Sequence, residues 1–230
     1  MVKKVYGIGV GVGDKKLLTL KALEVLKKVD KIFVPISKEG KKSIAYEIIK
    51  DYVDGKDVEE LLFPMIKDKE KLKKYWENAL EKVLKEKGEV AIITIGDPTL
   101  YSTFSYVWKL LKNKGIDVEV INGISSIFAS AAALNMPLVE GDEKLCILPQ
   151  GKDLEKYINE FDTIIIMKTK NLKEKLKKIK DKDKYIIGLV KRATFDDEKI
   201  SIGKLDEINF DEFNDYLSLA IIKRVKNENH

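Results

Sequence analysis

The chain has one cysteine, Cys146, and one histidine, His230, in 230 residues. A lone cysteine closes no intramolecular disulfide, which fits a reducing, cytoplasmic setting. Cys146 lies inside an apolar, strand-like run and reads as a packed thiol rather than a nucleophile. With the only imidazole on the last residue, Ser-His-Asp triads, Cys-His pairs and His/Cys metal cages are excluded, and no metal is expected. Apolar runs stay short of transmembrane length, so no membrane contact is expected. The Met1-Val2-Lys3-Lys4 start reads as a strand and not as a signal peptide. There is no internal repeat and no low-complexity linker.

What is present is a soluble, globular composition: 44% hydrophobic and 35% charged residues, mostly Lys and Glu. The net charge of +5 is mild and spread along the chain. Clusters such as Lys173-Glu174-Lys175-Leu176-Lys177-Lys178 carry apolar residues at helical spacing and read as solvated helix faces, so no nucleic-acid partner is expected. A small polyanionic substrate suits the same balance.

Hydrophobic periodicity predicts strands at 2–10, 31–34, 58–63, 90–95 and 118–121. Helices are predicted at 17–28, 44–52, 69–87, 102–114 and 125–134. Pro35 is expected to end the second strand. Such alternation builds a mostly parallel sheet with helices on both faces. The rhythm breaks at Asn135-Met136-Pro137. Beyond it come strands at 144–148, 163–168, 185–191, 199–205 and 216–223, with helices only at 152–160 and 171–180. Antiparallel pairing is expected among the last three strands. The fold class is therefore α/β with two domains, 1–137 and 138–230, the second a mixed sheet.

Three strand exits carry the unusual chemistry. The first, Gly7-Ile8-Gly9-Val10-Gly11-Val12-Gly13-Asp14, has glycine at every second position. It does not match the dinucleotide fingerprint, and no Gly-Lys-Ser/Thr follows, so neither a nicotinamide nor an ATP phosphate loop is expected. Its bare backbone can lie against a large ligand, and alternate glycines also permit close strand packing. The second, Gly96-Asp97-Pro98-Thr99-Leu100-Tyr101-Ser102-Thr103-Phe104-Ser105-Tyr106, puts a carboxylate, hydroxyls and ring faces where open α/β sheets bind ligands. Phe104 and Trp108, four residues apart, are expected to bury together. The third, Asn122-Gly123-Ile124-Ser125-Ser126, joins a strand to a helix that Ser125 can cap.

Gly9 to Asp14, followed by Leu17-Leu18-Thr19-Leu20-Lys21-Ala22, resembles the opening of the tetrapyrrole methyltransferases. Gly96-Asp97-Pro98 and Gly123-Ile124-Ser125-Ser126 resemble that family's second and third motifs. Ile166-Met167-Lys168 and Lys191-Arg192-Ala193-Thr194 resemble its later ones. The run Tyr101 to Tyr106, with 142–149, resembles the branch that methylates C20 of precorrin-2 or cobalt-factor II in cobalamin (vitamin B12) synthesis. That run argues against two other branches, diphthine synthesis and methylation of uroporphyrinogen or other corrin-precursor carbons. A non-catalytic tetrapyrrole sensor is the alternative of a different class. Val12, Lys15 and Asn122 stand where the family usually has prolines.

The resemblance implies a two-domain homodimer that binds S-adenosylmethionine in an interdomain cleft and releases S-adenosylhomocysteine. Cofactor contacts, largely from backbone, fall at Val10, Gly96, Asp97, Leu100, Ser125, Ser126, Met167, Ala193 and Leu217. The tetrapyrrole, with its many carboxylates, would meet Gly9, Gly11, Gly13, Asp14, Ser102 and Arg192. Asp14, Tyr101 or water would take the proton that leaves C20. Lys38, Lys41, Lys42 and Arg192 are candidates to clamp the substrate rim.

Overall fold

The computed structural model describes residues 2–169 and 171–225; His230 lies outside them. The chain divides into two compact units, Met1–Ser125 and Ser126–His230. The helix at Ser126–Ala133, grouped with the first domain from sequence, belongs by its contacts to the second unit. Its following residue Leu134 packs on Gly188, where an added Cβ would meet Leu134 Cδ1 at 2.5 Å.

The first unit is a five-stranded sheet in the order β3-β2-β4-β1-β5. Its strands are β1 (Val2–Gly9), β2 (Lys31–Ile36), β3 (Asp57–Leu62), β4 (Gly88–Thr94) and β5 (Asp117–Ile121). Every pairing is parallel. Helices α1 (Leu20–Lys28) and α2 (Ile44–Ile49) cover one face through Ala22, Leu26, Ile48 and Ile49. Helices α3 (Lys69–Lys85) and α4 (Phe104–Asn113) cover the other through Leu80, Val83, Phe104 and Leu111. Phe104 and Trp108 stack with ring centroids 6.1 Å apart, as their spacing predicts.

The connection out of β1 runs to β2 on one side, and the connection out of β4 runs to β5 on the other. β1 and β4 are adjacent, so their carboxyl ends flank the switch point at which open α/β sheets bind ligands. β5 lies on the other side of β1, which brings the three glycine-bearing exits onto neighbouring strands.

Pro35 does not end β2. Pairing with β4 covers only Lys31 to Phe33, while β3 stays paired through Ile36. The Ile36 carbonyl accepts from Phe63 N–H on the β3 side, so Pro35 turns its missing donor to the side where β4 has already departed. The first helix begins later than its apolar pattern suggests. Residues Lys15–Leu17 form a separate 3₁₀ turn capped by Asp14, and Thr19 caps α1 by accepting from Ala22 N–H.

The second unit holds α5 (Ser126–Ala133), α6 (Leu154–Tyr157) and α7 (Leu172–Leu176). Its sheet has the order β6-β7-β10-β8-β9. Those strands are β6 (Leu145–Pro149), β7 (Thr163–Met167), β8 (Tyr185–Lys191), β9 (Lys199–Gly203) and β10 (Ser218–Arg224). β6 and β7 run parallel, and the other pairs are antiparallel. The last strand inserts between β7 and β8, making the sheet mixed. α6 and α7 are much shorter than their charge-and-apolar pattern suggests, and both start from left-handed residues, Asp153 and Asn171. Cys146 is partly buried against the core of this unit, and burial raises its thiol pKa.

Charge also ties the first unit together. Glu119 on β5 pairs with Lys4 of β1 at 2.7 Å and with Lys21 of α1 at 2.6 Å. Lys21, then Lys4, lowers its carboxyl to about 2. A depressed carboxyl contributes stability above its unfolded value and loses it as pH falls through the folded value. Glu119→Gln should therefore melt earlier than the parent at neutral pH, and the two melting temperatures should converge between about pH 4.5 and pH 2. Differential scanning calorimetry across that range checks the convergence.

Candidate active site

The β1 and β4 exits are joined by main chain. Val10 N–H donates to Thr94 O at 2.9 Å, and Gly96 N–H donates to Gly11 O at 2.8 Å. The β5 exit packs on the same point. A Cβ on Gly123 would lie 2.3 Å from Gly96 O and 2.6 Å from the Gly9 carbonyl carbon. A Cβ on Gly9 would lie 2.5 Å from Gly96 O and 2.6 Å from Gly123 N. Neither position has room for a side chain, and Gly96 holds φ +71. Gly9 thus packs against protein backbone, the close-packing role that alternate glycines allow, while Gly11 and Gly13 hold φ 74 and 108.

Asp97 fastens the β4 and β5 exits. Oδ1 accepts from Thr99 N–H at 2.8 Å and from its hydroxyl at 2.5 Å. Oδ2 accepts from Asn122 Nδ2 at 3.0 Å and Gly123 N–H at 3.2 Å. Burial opposes the charge, but these bonds outweigh it and hold the carboxyl below its ordinary value. All four donors are neutral, so the negative charge of Asp97 is not cancelled by a bonded cation. Asn122, in a position where the resemblance expects proline, anchors this loop with its amide, and its carbonyl accepts from the Thr19 hydroxyl at 3.5 Å.

The remaining sequence-predicted residues divide. Tyr101 is half exposed and sits in the left-handed region with φ 47, a strained conformation for a bulky side chain. Asp14 is at the rim of the β1 exit, where Oδ1 accepts from Lys16 N–H at 2.8 Å. Ser102 is turned inward: it is buried, shares a 3.0 Å bond with the Thr94 hydroxyl, and accepts from Phe104 N–H. It braces the start of α4 and is not presented to a ligand. Ser125 is buried and Ser126 opens α5. Lys38, Lys41 and Lys42 are exposed on the turn after β2, and the resolved ion pairs of the described residues include none of them.

In the second unit the expected residues gather at one sheet edge. β7 and β8 end there and β10 begins there. Met167 is paired with Leu219, Lys168 N–H donates to Ser218 O at 3.1 Å, and Arg192 N–H donates to Leu217 O at 2.9 Å. Met167, Ala193 and Leu217 are thus neighbours along this edge. Around them stand residues Lys168, Arg192 and Thr194, with φ 63, 53 and 66. Strain of this kind gathers at functional sites. The sequence reading missed it, since no residue type here announces a left-handed backbone. Arg192, a clamp candidate, is already engaged: Nε lies 2.6 Å from Asp197 Oδ1, and its guanidinium stacks over Phe195 at 4.2 Å.

Residues 4–209 match the family model of the Tetrapyrrole (Corrin/Porphyrin) Methylases. A probable cobalt-precorrin-2 C(20)-methyltransferase of Methanocaldococcus jannaschii is 88% identical over 98% of both chains. The cobalt-precorrin-2 C(20)-methyltransferase of Salmonella typhimurium is 29% identical over 72% of each. Among solved structures, a cobalt precorrin-4 methyltransferase aligns with a TM-score of 0.74 at 23% identity, covering 96% of this chain and 95% of that one. A uroporphyrin-III C-methyltransferase of Thermus thermophilus, complexed with S-adenosylhomocysteine, aligns at 0.69 and 19% identity, covering 96% and 97%. The chain belongs to the tetrapyrrole methylase family, whose members are S-adenosylmethionine-dependent methyltransferases.

The residues present fit that cofactor. Asp97 holds a carboxylate charge among neutral donors, which complements a sulfonium, and the loops around it offer main chain rather than competing lysines.

Two substitutions test the junction. Gly123→Ala should destabilise the first unit by about 1–3 kcal/mol or prevent folding, because its new carbon meets backbone that cannot withdraw. Asp97→Asn, which replaces two acceptor oxygens by one, should cost about 1–2 kcal/mol at neutral pH. Urea unfolding of both variants measures this. Parental stability for Gly123→Ala would contradict the packing described.

Proposed function

We propose that the chain is a C-methyltransferase that transfers the methyl of S-adenosylmethionine to C20 of cobalt-precorrin-2, within cobalamin synthesis. The observation that carries the substrate is the 88% identity, over nearly the whole chain, to a relative bearing that name. The glycine-lined exits of β4, β1 and β5 support the cofactor reading. In it, the cofactor contacts are Val10, Gly96, Asp97, Leu100 and Ser125 of the first unit, and Ser126, Met167, Ala193 and Leu217 of the second. The cobalt belongs to the substrate. A homodimer in the cytoplasm is part of the same reading.

S-adenosylmethionine supplies an already activated methyl group, so the protein needs neither an imidazole nor a metal to prepare it. What the chain contributes is position. Aligning a methyl with its nucleophile can be worth roughly 7–11 kcal/mol of the barrier. C20 of a reduced tetrapyrrole bridges two rings and has enamine-like electron density, so it can attack in line. The C20 proton then leaves. Tyr101, half exposed on its strained turn, and Asp14, on the neighbouring exit, are the side chains assigned to receive or relay it. Arg192 is committed to Asp197, so the carboxylates of the substrate rim fall to Lys38, Lys41 and Lys42.

Incubation with methyl-labelled S-adenosylmethionine and cobalt-precorrin-2 should yield S-adenosylhomocysteine and a product in which the labelled methyl replaces the C20 hydrogen. Binding without S-adenosylhomocysteine would make the protein a sensor. In the same assay, Lys38→Glu with Lys41→Glu should raise the KM for the tetrapyrrole several-fold at low ionic strength, with the difference shrinking as salt is added. An unchanged KM at low salt would remove these lysines from the substrate site.

A further inference from the structure

Two residues in left-handed conformations flank Ala193, and each is held by a different carboxylate. Arg192 has φ 53, and its Nε donates to Asp197 Oδ1 at 2.6 Å. Thr194 has φ 66, and its N–H donates to Glu198 Oε2 at 2.6 Å. Left-handed backbone is a pronounced outlier for a β-branched residue, and it persists only where the surroundings over-determine it. Part of that restraint is local. The segment between β8 and β9 is two consecutive turns, with Phe195 N–H donating to Arg192 O at 3.0 Å and Glu198 N–H donating to Phe195 O at 2.9 Å. The second turn brings the Glu198 side chain back onto Thr194, and Arg192 N–H is fixed from outside by Leu217 O.

We infer that Glu198 is a positioning residue for the cofactor: its carboxylate holds Thr194 in the left-handed conformation that sets the direction of the Ala193 main chain. Glu198 is exposed, and in this inference it acts only through the turn. The Thr194 conformation is costly, and a charge-assisted bond from a carboxylate is among the stronger ways to offset such a cost. Glycine adopts φ near +66 without that penalty. A chain with glycine at 194 therefore has less need of the Glu198 bond. The inference rests on the reading that Ala193 lies along the nucleoside.

Calorimetric titration with S-adenosylhomocysteine tests it, using the parent, Glu198→Ala, and Glu198→Ala combined with Thr194→Gly, with melting temperatures measured alongside. Glu198→Ala should weaken binding on the order of tenfold. The double variant should bind more tightly than Glu198→Ala. Should Glu198→Ala fail to fold, Glu198→Gln, which keeps an acceptor without the charge, should give a smaller loss in the same direction. Parental affinity in a folded Glu198→Ala, or a double variant no tighter than the single one, overturns the inference while leaving the cofactor reading intact. A parent protein that takes up no S-adenosylhomocysteine overturns that reading and the inference with it.

Discussion

The carbonyl of Gly96 is wedged between Gly9 and Gly123, and the first unit is organised around that contact. A side chain on either neighbour would approach this oxygen to 2.5 Å or less. Because both are glycine, the exits of β4, β1 and β5 touch backbone to backbone at the switch point of the sheet. Asp97 then fastens two of the exits, and the pair of bonds between Gly11 and Gly96 fastens the third. The outcome is a rigid edge made almost entirely of main chain. Such an edge can hold a nucleoside and a sulfonium without acid–base side chains, which fits a chain whose only histidine is its last residue.

The second unit reaches a similar end by different means. No glycine stands at the tips of β7 and β8. Instead, ordinary residues are held in left-handed conformations, and their neighbours offset the cost: Leu217 O for Arg192 N–H, Asp197 for its guanidinium and Glu198 for Thr194 N–H. The glycine junction of the first unit avoids strain by deleting side chains; the edge of the second keeps side chains and restrains the strain. The latter arrangement is more sensitive to single surface substitutions, since its restraints are exposed carboxylates.

The alternation of strand and helix through residue 134 was readable because β2 and β4 are short apolar runs and helices such as α1, α3 and α4 carry apolar residues at helical spacing. The parallel sheet and the three neighbouring exits followed from it, and the motifs pointed to the family to which the chain belongs. Other features were hidden. Pro35 looked like a terminator, because a sequence does not show that β4 has already left that side of β2. Ser102 looked like a ligand group, because a hydroxyl in a polar loop carries no mark of the Thr94 partner that turns it inward. Asp97 was legible as a carboxylate at a strand exit, but its role as a fastener depends on Asn122 and Gly123, which are distant in sequence. The insertion of β10 between β7 and β8 is set by tertiary packing that local pattern does not encode, and the left-handed turns around Ala193 depend on side-chain bonds that no residue type announces.

Backbone amide chemical shifts, followed during titration with S-adenosylhomocysteine, test most directly whether main chain at these two edges holds the cofactor. The account predicts that the largest changes fall at 96–101 and 123–125 in the first unit, and at 126, 167–168, 192–194 and 217 in the second. Saturable binding whose shifts fall elsewhere, with these amides unmoved, would contradict it.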